Sequence, residues 1–359
     1  MTFPLPIVLL PIVLFCKGDT LMFTEMFTDL KSASRLLLEA KLAPVQGTRF
    51  QPTGFPDLGA AEYRLPDGTV MLLVESPQSV ANRLEATIWD TANKTVVKEL
   101  QGIPYVEVYD QSGDFLTNSL LEAHRLNSNY ILESKDDSFL NILKQELEIA
   151  PDKPLKFECF AKLLVKYDLN CLLHGLFLAK SEIAGGRYKM PRALSGFIEA
   201  HGVEKVVSGG VKLDRINAKG DAEQGAGNIP YHRVEYTARE IKAYFSLDLA
   251  QIYGYSLGDD VENLLIAIAL WKIQKFLENG LRLRTACDLE VVALNVKKPA
   301  GFELPSIEVL SEALPKLIET AQPAFANPAI TKVTYIPKPK KKKGNGATGN
   351  APDTEAVEG

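Results

Sequence analysis

The sequence predicts an α+β protein built on a ferredoxin-like core with insertions. Two strand patterns precede residue 76, and a strand–helix–strand pattern runs over residues 241–296. Between them, a glycine-rich segment at residues 182–231 is too long for a plain connection in a compact domain. It is expected to be a functional loop, an extended hairpin or partly disordered. The 359 residues, 46% hydrophobic and 24% charged, are typical of a globular chain of one large or two modest domains.

The first strand pattern covers residues 35–45. Apolar side chains recur there at every second position, which favours a strand, although a helix is also compatible with the segment. Pro66-Asp67-Gly68 is a turn signal, and it leads into a second, apolar strand at residues 70–75.

A helix is predicted directly after this second strand. Ser76 is a typical N-cap, and Pro77 suits the first helical position. Val80, Leu84 and Ile88 repeat at four-residue spacing, so they are expected to form the buried stripe of the helix.

The middle of the chain is expected to carry further elements. They are a strand at residues 103–109, two helical patterns within residues 116–148 with a break at Asp136-Asp137, a helix at residues 154–167 and a buried central strand at residues 170–178.

The last third carries the clearest pattern. A strand is predicted at residues 241–249, then a helix at residues 261–279 that Asp259 or Asp260 caps and Gly280 closes, then a strand at residues 281–296. Pro305 is expected to begin a final helix that runs to about residue 321.

The two ends of the chain differ from the rest. Residues 4–15 are apolar over the length of a signal-peptide core and too short to span a bilayer, but no Lys or Arg precedes them and no small-residue cleavage site follows. We therefore expect an over-long start, with the protein beginning near Met22 or Met26, which N-terminal sequencing would test. Beyond Pro337 the chain is Lys-rich and then polar, which predicts a disordered tail.

Charge and cysteine usage narrow the class of protein. The formal net charge of −5 does not indicate a nucleic-acid binder overall, but residues 180–215 hold seven Lys or Arg against four acids. The four cysteines are far apart without CxxC spacing, so buried thiols in a reducing, cytoplasmic compartment are a better interpretation than a metal site.

An active site is not indicated. The four histidines form no HxH or HxxxH pair, and the sequence has no P-loop, GxSxG or dinucleotide-binding fingerprint. His174, in an apolar run, is expected to be a satisfied core residue. The protein is predicted not to be an enzyme and to need no cofactor and no metal.

A binding surface is better supported. Residues 46–56 form a polar loop rich in turn residues, and the start of the helix after Ser76 offers free N–H groups that suit a phosphate. A solvated helix face is the competing interpretation of its polar residues. Aromatic residues beside the arginines (Phe50, Phe55, Tyr188) are expected either to stack on bases or to pin loops to the core. Several arginines can pair with phosphates: Arg49, Arg64, Arg83, Arg187, Arg192, Arg282 and Arg284.

Five segments, in this order, resemble a known family. QGTRFQPTGFPDLGAAEY, ESPQSVANRLEATIWD, IAGGRYKMPRALSGFIEAHGV, SGGVKLDRI and GLRLRTACDLEVVAL are similar to the backbone subunit of CRISPR Cascade complexes. The narrower likeness is to the form in type I-G (formerly I-U) systems, a member of the RAMP superfamily. It covers roughly residues 34–296.

The resemblance implies a fold of three parts. A modified ferredoxin-like, RNA-recognition-like palm would span residues 29–336, with an inserted finger at about 100–165 and a glycine-rich thumb hairpin at about 182–235. Residues 1–28 would be an apolar extension and residues 337–359 a disordered tail.

The resemblance also implies which residues contact RNA. They are Gln46, Gly47, Thr48 and Arg49 in the first palm loop; Gln78, Ser79, Asn82 and Arg83 in the helix; Gly185, Gly186, Arg187 and Arg192 before the thumb; and Gly209, Gly210, Lys212 and Arg215 in or near it.

The implied function is a non-catalytic scaffold in antiviral defence. Copies would stack head to tail along one CRISPR guide RNA, beside other Cascade subunits (a small-end subunit with a repeat-processing nuclease, and a large subunit). The guide would be left free to pair with target DNA, and no membrane would be involved. Complementary acidic and basic faces would explain the modest net charge.

Two alternatives stay open. One is an RNA-cleaving RAMP protein of type III-like activity, for which Asp214 and Asp57 are the aspartates in candidate RNA-facing loops. The other is a general single-stranded RNA-binding protein.

Overall fold

The computed structural model describes residues 26–55, 57–149, 156–183, 185–216, 219–220 and 227–338. The strands are β1 (Arg35–Pro44), β2 (Gly54–Phe55), β3 (Gly59–Ala60), β4 (Glu62–Arg64), β5 (Val70–Glu75), β6 (Trp89–Asp90), β7 (Thr95–Val96), β8 (Tyr105–Tyr109), β9 (Phe115–Asn118), β10 (Leu176–Leu178), β11 (Tyr188–Met190), β12 (Leu194–Lys212), β13 (Ile229–Asp248), β14 (Leu281–Arg284), β15 (Cys287–Lys298) and β16 (Ile330–Thr334). The helices are α1 (Pro77–Ala86), α2 (Asn129–Leu132), α3 (Ser138–Glu146), α4 (Phe157–Tyr167), α5 (Asn170–His174), α6 (Leu249–Gly254), α7 (Asp259–Glu278) and α8 (Ile307–Ala321).

The main sheet is antiparallel, with the order β14-β15-β1-β13-β12-β5-β4. Its four central strands are β15, β1, β13 and β12, with α1 between β1 and β12 in the chain and α7 between β13 and β15. This is the βαββαβ order of a ferredoxin-like fold, extended by β14 at one edge and by the β4–β5 pair at the other. The predicted α+β class and ferredoxin-like palm are confirmed.

One face of the sheet is buried against the helices. In β1 the alternating residues Leu36, Leu38, Ala40 and Leu42 are buried, which confirms the strand rather than the helix interpretation. Helix α7 is buried on almost all sides, because it lies between the sheet and α8. Its start differs from the prediction: Gly258 is the N-cap, and Asp259 is already the first helical residue.

Two predicted strands are wrong. Residues 170–178 form α5, a turn at Gly175 and then β10, which pairs with β11 in a separate small sheet. A continuous apolar run fits a buried helix as well as a buried strand, so periodicity alone could not separate them. The strand expected at residues 281–296 is a hairpin, β14 and β15, because the alternation continues through a tight turn between Arg284 and Cys287.

The region of the predicted finger carries its own three-stranded sheet. The order is β16-β8-β9, and β16, from the C-terminal part of the chain, pairs in parallel with β8. The helical patterns expected within residues 116–148 are α2 and α3, but β9 overlaps their start. No local pattern indicated that residues 330–334 would complete this sheet.

A long hairpin leaves the main sheet between β12 and β13. The two strands pair from Leu194–Leu247 to Lys212–Ile229, whereas β5 pairs with β12 only as far as His201. Residues 203–212 and 229–238 therefore form a two-stranded arm, roughly 30 Å long at the usual rise per residue. It lies where the glycine-rich thumb hairpin was predicted.

Near the ends of the described chain, Phe27 and Leu30 are buried in the core, and Lys338 Nζ lies 3.8 Å from Asp137 Oδ1. The apolar run at residues 4–15, Cys16, and the tail beyond Lys338 lie outside the described residues. Within the described chain, no helix is both long and apolar enough to cross a membrane. Of the remaining cysteines, Cys171 and Cys287 are buried, as expected, and Cys159 is half-buried.

A polar cluster lies inside the core beneath α1. The Lys272 Nζ of α7 is fully buried, donates to Asn170 Oδ1 and lies 3.0 Å from His174 Nε2. Burial lowers the pKa of Lys272 to about 7, and the carboxylates of Glu85 and Asp168 oppose this shift only in part.

Close packing at Gly196 gives a first prediction. A Cβ there would lie 2.7 Å from Phe245 Cδ1 and 2.9 Å from the Tyr244 carbonyl, so Gly196→Ala is expected to lower the free energy of unfolding by about 1–3 kcal/mol. Gly254→Ala is the matched control, because nothing lies within 4 Å of its Cβ position. Urea unfolding measures both, and equal stability of the two variants would contradict the packing described.

The buried lysine gives a second prediction. The folded pKa of Lys272, about 7, is below its ordinary value of 10.5, so the unfolded chain binds more protons at intermediate pH. Stability from this group is therefore expected to rise with pH between 7 and 10.5, by at most about 1.4 kcal/mol per pH unit. Urea unfolding at several pH values in this window, with Lys272→Met as the comparison, checks it. If the stability of the two proteins changes with pH in the same way, Lys272 is not the source of the pH dependence.

Candidate nucleic-acid interface

Helix α1 begins as its sequence predicts. Ser76 Oγ accepts a hydrogen bond from the Ser79 N–H at 3.2 Å, and Pro77 is the first helical residue. Val80 and Leu84 are buried, whereas Gln78 and Asn82 are exposed and joined by a hydrogen bond of 3.2 Å. Because Pro77 has no N–H and Ser76 takes that of Ser79, the helix start offers less free backbone N–H than expected.

A buried carboxylate organises the side chains around this helix. Glu75 ends β5 and is 1% exposed. Its oxygens accept from Ser79 Oγ and from Arg284 Nη2, and Arg83 Nε lies 3.5 Å away. Backbone carbonyls hold both arginines further: Arg83 donates to Leu283 at 2.7 Å, and Arg284 donates to Gln51 at 3.0 Å and to Val74 at 3.2 Å. Two guanidinium groups thus share one negative charge.

A second carboxylate repeats this arrangement on β13. Glu235 is 8% exposed, with Arg49 Nη1 at 3.4 Å and Arg233 Nε at 3.5 Å. The loop that carries Arg49 is fixed in place because Phe50 and Tyr236 exchange two backbone hydrogen bonds of 2.9 Å. Here too, one carboxylate is shared by two arginines.

A cleft of about 710 Å³ lies between these two clusters. Its polar lining includes Thr53, Lys205, Arg233 and Arg284, and its acid is Glu62, which pairs with Lys205 at 2.8 Å. The cleft therefore carries an excess of positive charge and extends from Arg284 to the base of the arm.

Arg192 extends the surface on the other side of α1. Its Nη2 donates to Gln78 Oε1 at 3.0 Å, and its Nε reaches the His174 carbonyl at 3.5 Å. We call Arg192, Arg83, Arg284, Arg233 and Arg49 the basic path. Glu75 joins Arg83 to Arg284, and Glu235 joins Arg233 to Arg49. Arg284 also contacts Gln51, whose neighbour Phe50 pairs with β13, and Arg192 contacts Gln78 of α1, the helix that carries Arg83.

The structure brings together only part of the predicted site. Loop 46–49, the α1 residues and Arg192 lie along the basic path. Gly185, Gly186 and Arg187 lie instead in or beside the turn of the β10–β11 hairpin.

The thumb residues lie on the arm, beyond its base. Gly209, Gly210 and Lys212 are on its outer part, and Arg215 is in its tip. At Gly210 a Cβ would lie 2.7 Å from Tyr231 Oη, so the absence of a side chain lets the tyrosine ring lie across the strand. RNA contact by these residues stays a prediction.

The structure corrects the roles predicted for the aromatic residues and adds further residues to the site. Phe50 and Tyr188 are buried in the core, so stacking on bases is wrong for both, and they pin their loops instead. Sequence reasoning missed Glu75, Glu235 and Arg233 as members of the site. The available signal was weak: an acidic residue, Glu75, directly ends an otherwise apolar strand.

No cluster of three or more His, Cys, Asp or Glu side chains that could hold a metal occurs within the described residues. The Asp214 carboxylate accepts from the backbone N–H of Ile216 at 2.9 Å and of Gly227 at 3.0 Å. It therefore helps to close the tip of the arm.

One family model matches the first part of the folded region. The model of the family described as CRISPR-associated protein GSU0053 matches residues 36–205, which include β1, α1 and Arg192. No curated protein matches the chain. A solved structure described as "CRISPR RNA-guided surveillance complex, pre-nicking" has a chain with 15% identity and a TM-score of 0.40, over 73% of this chain and 75% of that one. A likeness that distant says nothing about function.

The resemblance drawn from the sequence is thus confirmed as CRISPR-associated over residues 36–205. The narrower type I-G assignment stays a prediction.

The shared carboxylate gives a third prediction. Glu75→Gln leaves Arg83 and Arg284 without their common counter-charge, and is expected to lower the free energy of unfolding by about 2–3 kcal/mol, less than for a fully buried pair because both arginines are partly exposed. Urea unfolding measures this. The control is Glu158→Gln, which removes an exposed pair with Lys162 and should change nothing measurable. A Glu75 variant as stable as this control would contradict the shared arrangement.

Proposed function

We propose that the protein is a non-catalytic, guide-RNA-binding scaffold. The match of residues 36–205 to the model of a CRISPR-associated family supports this proposal. Several copies would stack head to tail along one CRISPR guide RNA and form the backbone of a Cascade-type effector complex. The guide would then pair with target DNA.

The observation that carries this proposal is the sharing of Glu75 and Glu235 by two arginines each. A carboxylate behind a pair of guanidinium groups restrains their positions but neutralises only one of them. Each pair therefore presents one uncompensated positive charge. A row of such guanidinium groups suits the regularly spaced phosphates of an extended strand.

The same geometry favours contact with the nucleic-acid backbone rather than with bases. The aromatic residues nearest the basic path, Phe50 and Tyr236, are buried, so they present no face for stacking. Phosphate contacts fix the position of a strand and carry no sequence information. A scaffold for guides of any sequence requires this property.

The arm supports stacking of copies. Val207 and Val211 are exposed on one side of β12, and Leu213 and Ile216, which follow the strand toward the tip, are exposed as well. Apolar side chains in a row on a projecting hairpin indicate a protein partner. Open head-to-tail stacking needs two different faces in each copy, and an arm that reaches into a neighbour provides one of them.

The proposal contains no catalytic step. The carboxylate of Asp214, one of the two candidate nucleolytic residues, is bound to backbone N–H groups of its own turn. Bound complementary RNA is therefore expected to stay equally intact with Asp214→Ala and with the native protein. If the native protein cleaves this RNA and either this variant or Asp57→Ala does not, the protein has an RNA-cleaving function instead of the scaffold function.

The first test is what copurifies with the expressed protein, alone and with guide RNA and partner subunits. Large particles that RNase reduces in size, and whose RNA contains CRISPR repeats, are the expected result. Particles that hold arbitrary RNA with no dependence on partners would favour a general single-stranded RNA-binding protein. An RNA-free protein in both preparations would overturn the proposal.

The basic path gives a fourth prediction. Arg83→Ala and Arg284→Ala should each weaken binding of single-stranded RNA equally for all sequences. Each should also lower the slope of log K against log salt by about 0.7 for every phosphate that the variant no longer binds. Fluorescence anisotropy between about 50 and 200 mM salt measures both effects.

The control for this prediction is Lys316→Ala on α8, which carries an exposed lysine away from the basic path. A change in base preference at unchanged total affinity would show that Arg83 and Arg284 do not contact the backbone.

A further inference from the structure

A second cleft, of about 1050 Å³, lies beside the basic path. It is bounded by residues 123–127, by the end of α5 and by the β10–β11 hairpin. Its polar lining is basic or neutral (His124, Arg125, Asn127, His174, Lys189, Arg192), and no acidic side chain lines it within the described residues. Arg192 belongs both to this cleft and to the basic path.

The floor of the cleft is a close crossing of two backbone segments. Gly175 has φ +81°, and a Cβ there would lie 3.0 Å from the Met190 carbonyl and 3.3 Å from the Arg192 nitrogen. The carbonyls at this crossing orient two guanidinium groups: Arg125 donates to Gly175 at 3.0 Å, and Arg192 reaches His174 at 3.5 Å. The cleft is therefore built by the fold rather than by mobile surface side chains.

The two arginines differ in their counter-charges. Arg125 makes two hydrogen bonds of 2.6 Å to the Glu85 carboxylate. Arg192 is half-buried and has no carboxylate within 4.0 Å in the described part of the chain. Burial, together with the nearby Arg125 charge, lowers the pKa of Arg192. A half-buried cation with no carboxylate in direct contact favours an anionic ligand.

His174 adds an unsatisfied polar atom beside this cleft. The residue is 2% exposed, and its Nε2 lies 3.0 Å from Lys272 Nζ. The other ring nitrogen, Nδ1, is buried and has no hydrogen-bond partner within the described residues. Buried polar atoms normally have a partner, so this residue of the cleft lining is incompletely hydrogen-bonded.

The rim of the cleft adds an aromatic surface. Phe177 is 45% exposed, and Lys189 Nζ lies 5.0 Å from the centre of its ring. Phe157, also exposed, stands on the same rim. These rings stand out to solvent, unlike those beside the basic path, so they can receive a planar ligand.

We propose that this cleft binds one nucleotide of single-stranded nucleic acid, with a phosphate oxygen at Arg192 and the base against Phe177. The volume is too large for a phosphate alone, and the rim rings suit the apolar face of a base. The proposal rests on the proposed function, because a strand along the basic path reaches the cleft through Arg192. Guide RNA and a target DNA strand share this chemistry.

The test uses the full-length protein, purified with guide RNA and partner subunits where these are needed for binding, and single strands of RNA and DNA that carry a photoreactive thio-base. Crosslinks are expected in the peptides that contain Phe177 or Phe157. Phe177→Ala should weaken binding of the responsible strand by at least about fivefold. Lys189→Gln removes the charge above the Phe177 ring and should weaken binding of the same strand. If the variants weaken binding of the RNA strand alone, the cleft is assigned to the guide. If they weaken binding of the DNA strand alone, it is assigned to the target.

The matched control is Tyr130→Ala, an aromatic residue of similar exposure, 44%, on α2. Thermal unfolding shows whether the rim variants are folded, which their exposure leads us to expect. Native-strength binding by folded Phe177→Ala and Lys189→Gln, with crosslinks elsewhere, overturns this proposal and leaves the proposed function standing. Failure of the native protein to bind either strand overturns both.

Discussion

The candidate site depends on the burial of two carboxylates, Glu75 and Glu235. A buried negative charge is costly unless it is paired and hydrogen-bonded, and here each carboxylate takes two arginines. The pairing fixes long side chains that would otherwise be mobile, and it leaves a net positive charge at each cluster. The chain can therefore be acidic overall, at a net charge of −5, and still present a rigid basic surface.

The ferredoxin-like order brings distant parts of the chain to these carboxylates. Glu75 ends β5 and stands at the start of α1, whereas Arg284 comes from β14, 209 positions later. The same arginine holds the loop at Gln51, whose neighbour Phe50 docks on β13. One surface thus depends on the sheet, on α1 and on the β14–β15 hairpin. A substitution that destabilises any of these elements is therefore expected to displace side chains of the basic path.

Local sequence signals predicted much of this fold but little of the site's chemistry. Alternation identified β1, and the Ser76-Pro77 pair identified the start of α1, because both features act over a few residues. The strand predicted for the apolar run at residues 170–178 is wrong, because a continuous apolar run can be buried in a helix such as α5 as well as in a strand. The roles of Glu75 and Phe50 were missed or misassigned because their partners, Arg284 and Tyr236, are remote in sequence. No periodicity reports such a contact.

Arg192 differs from the other arginines of the basic path in a way that links the two clefts. Glu75 or Glu235 holds Arg83, Arg284, Arg233 and Arg49, but Arg192 contacts only an amide oxygen and a backbone carbonyl in the described chain. His174, whose Nδ1 has no partner in the described chain, lies beside the same crossing at Gly175. The arginines with carboxylates have counter-charges before a strand arrives, whereas Arg192 gains one only when a phosphate binds. The contribution to the binding free energy is therefore expected to be largest where charged and polar groups of the free protein lack partners, at the point where the basic path meets the second cleft.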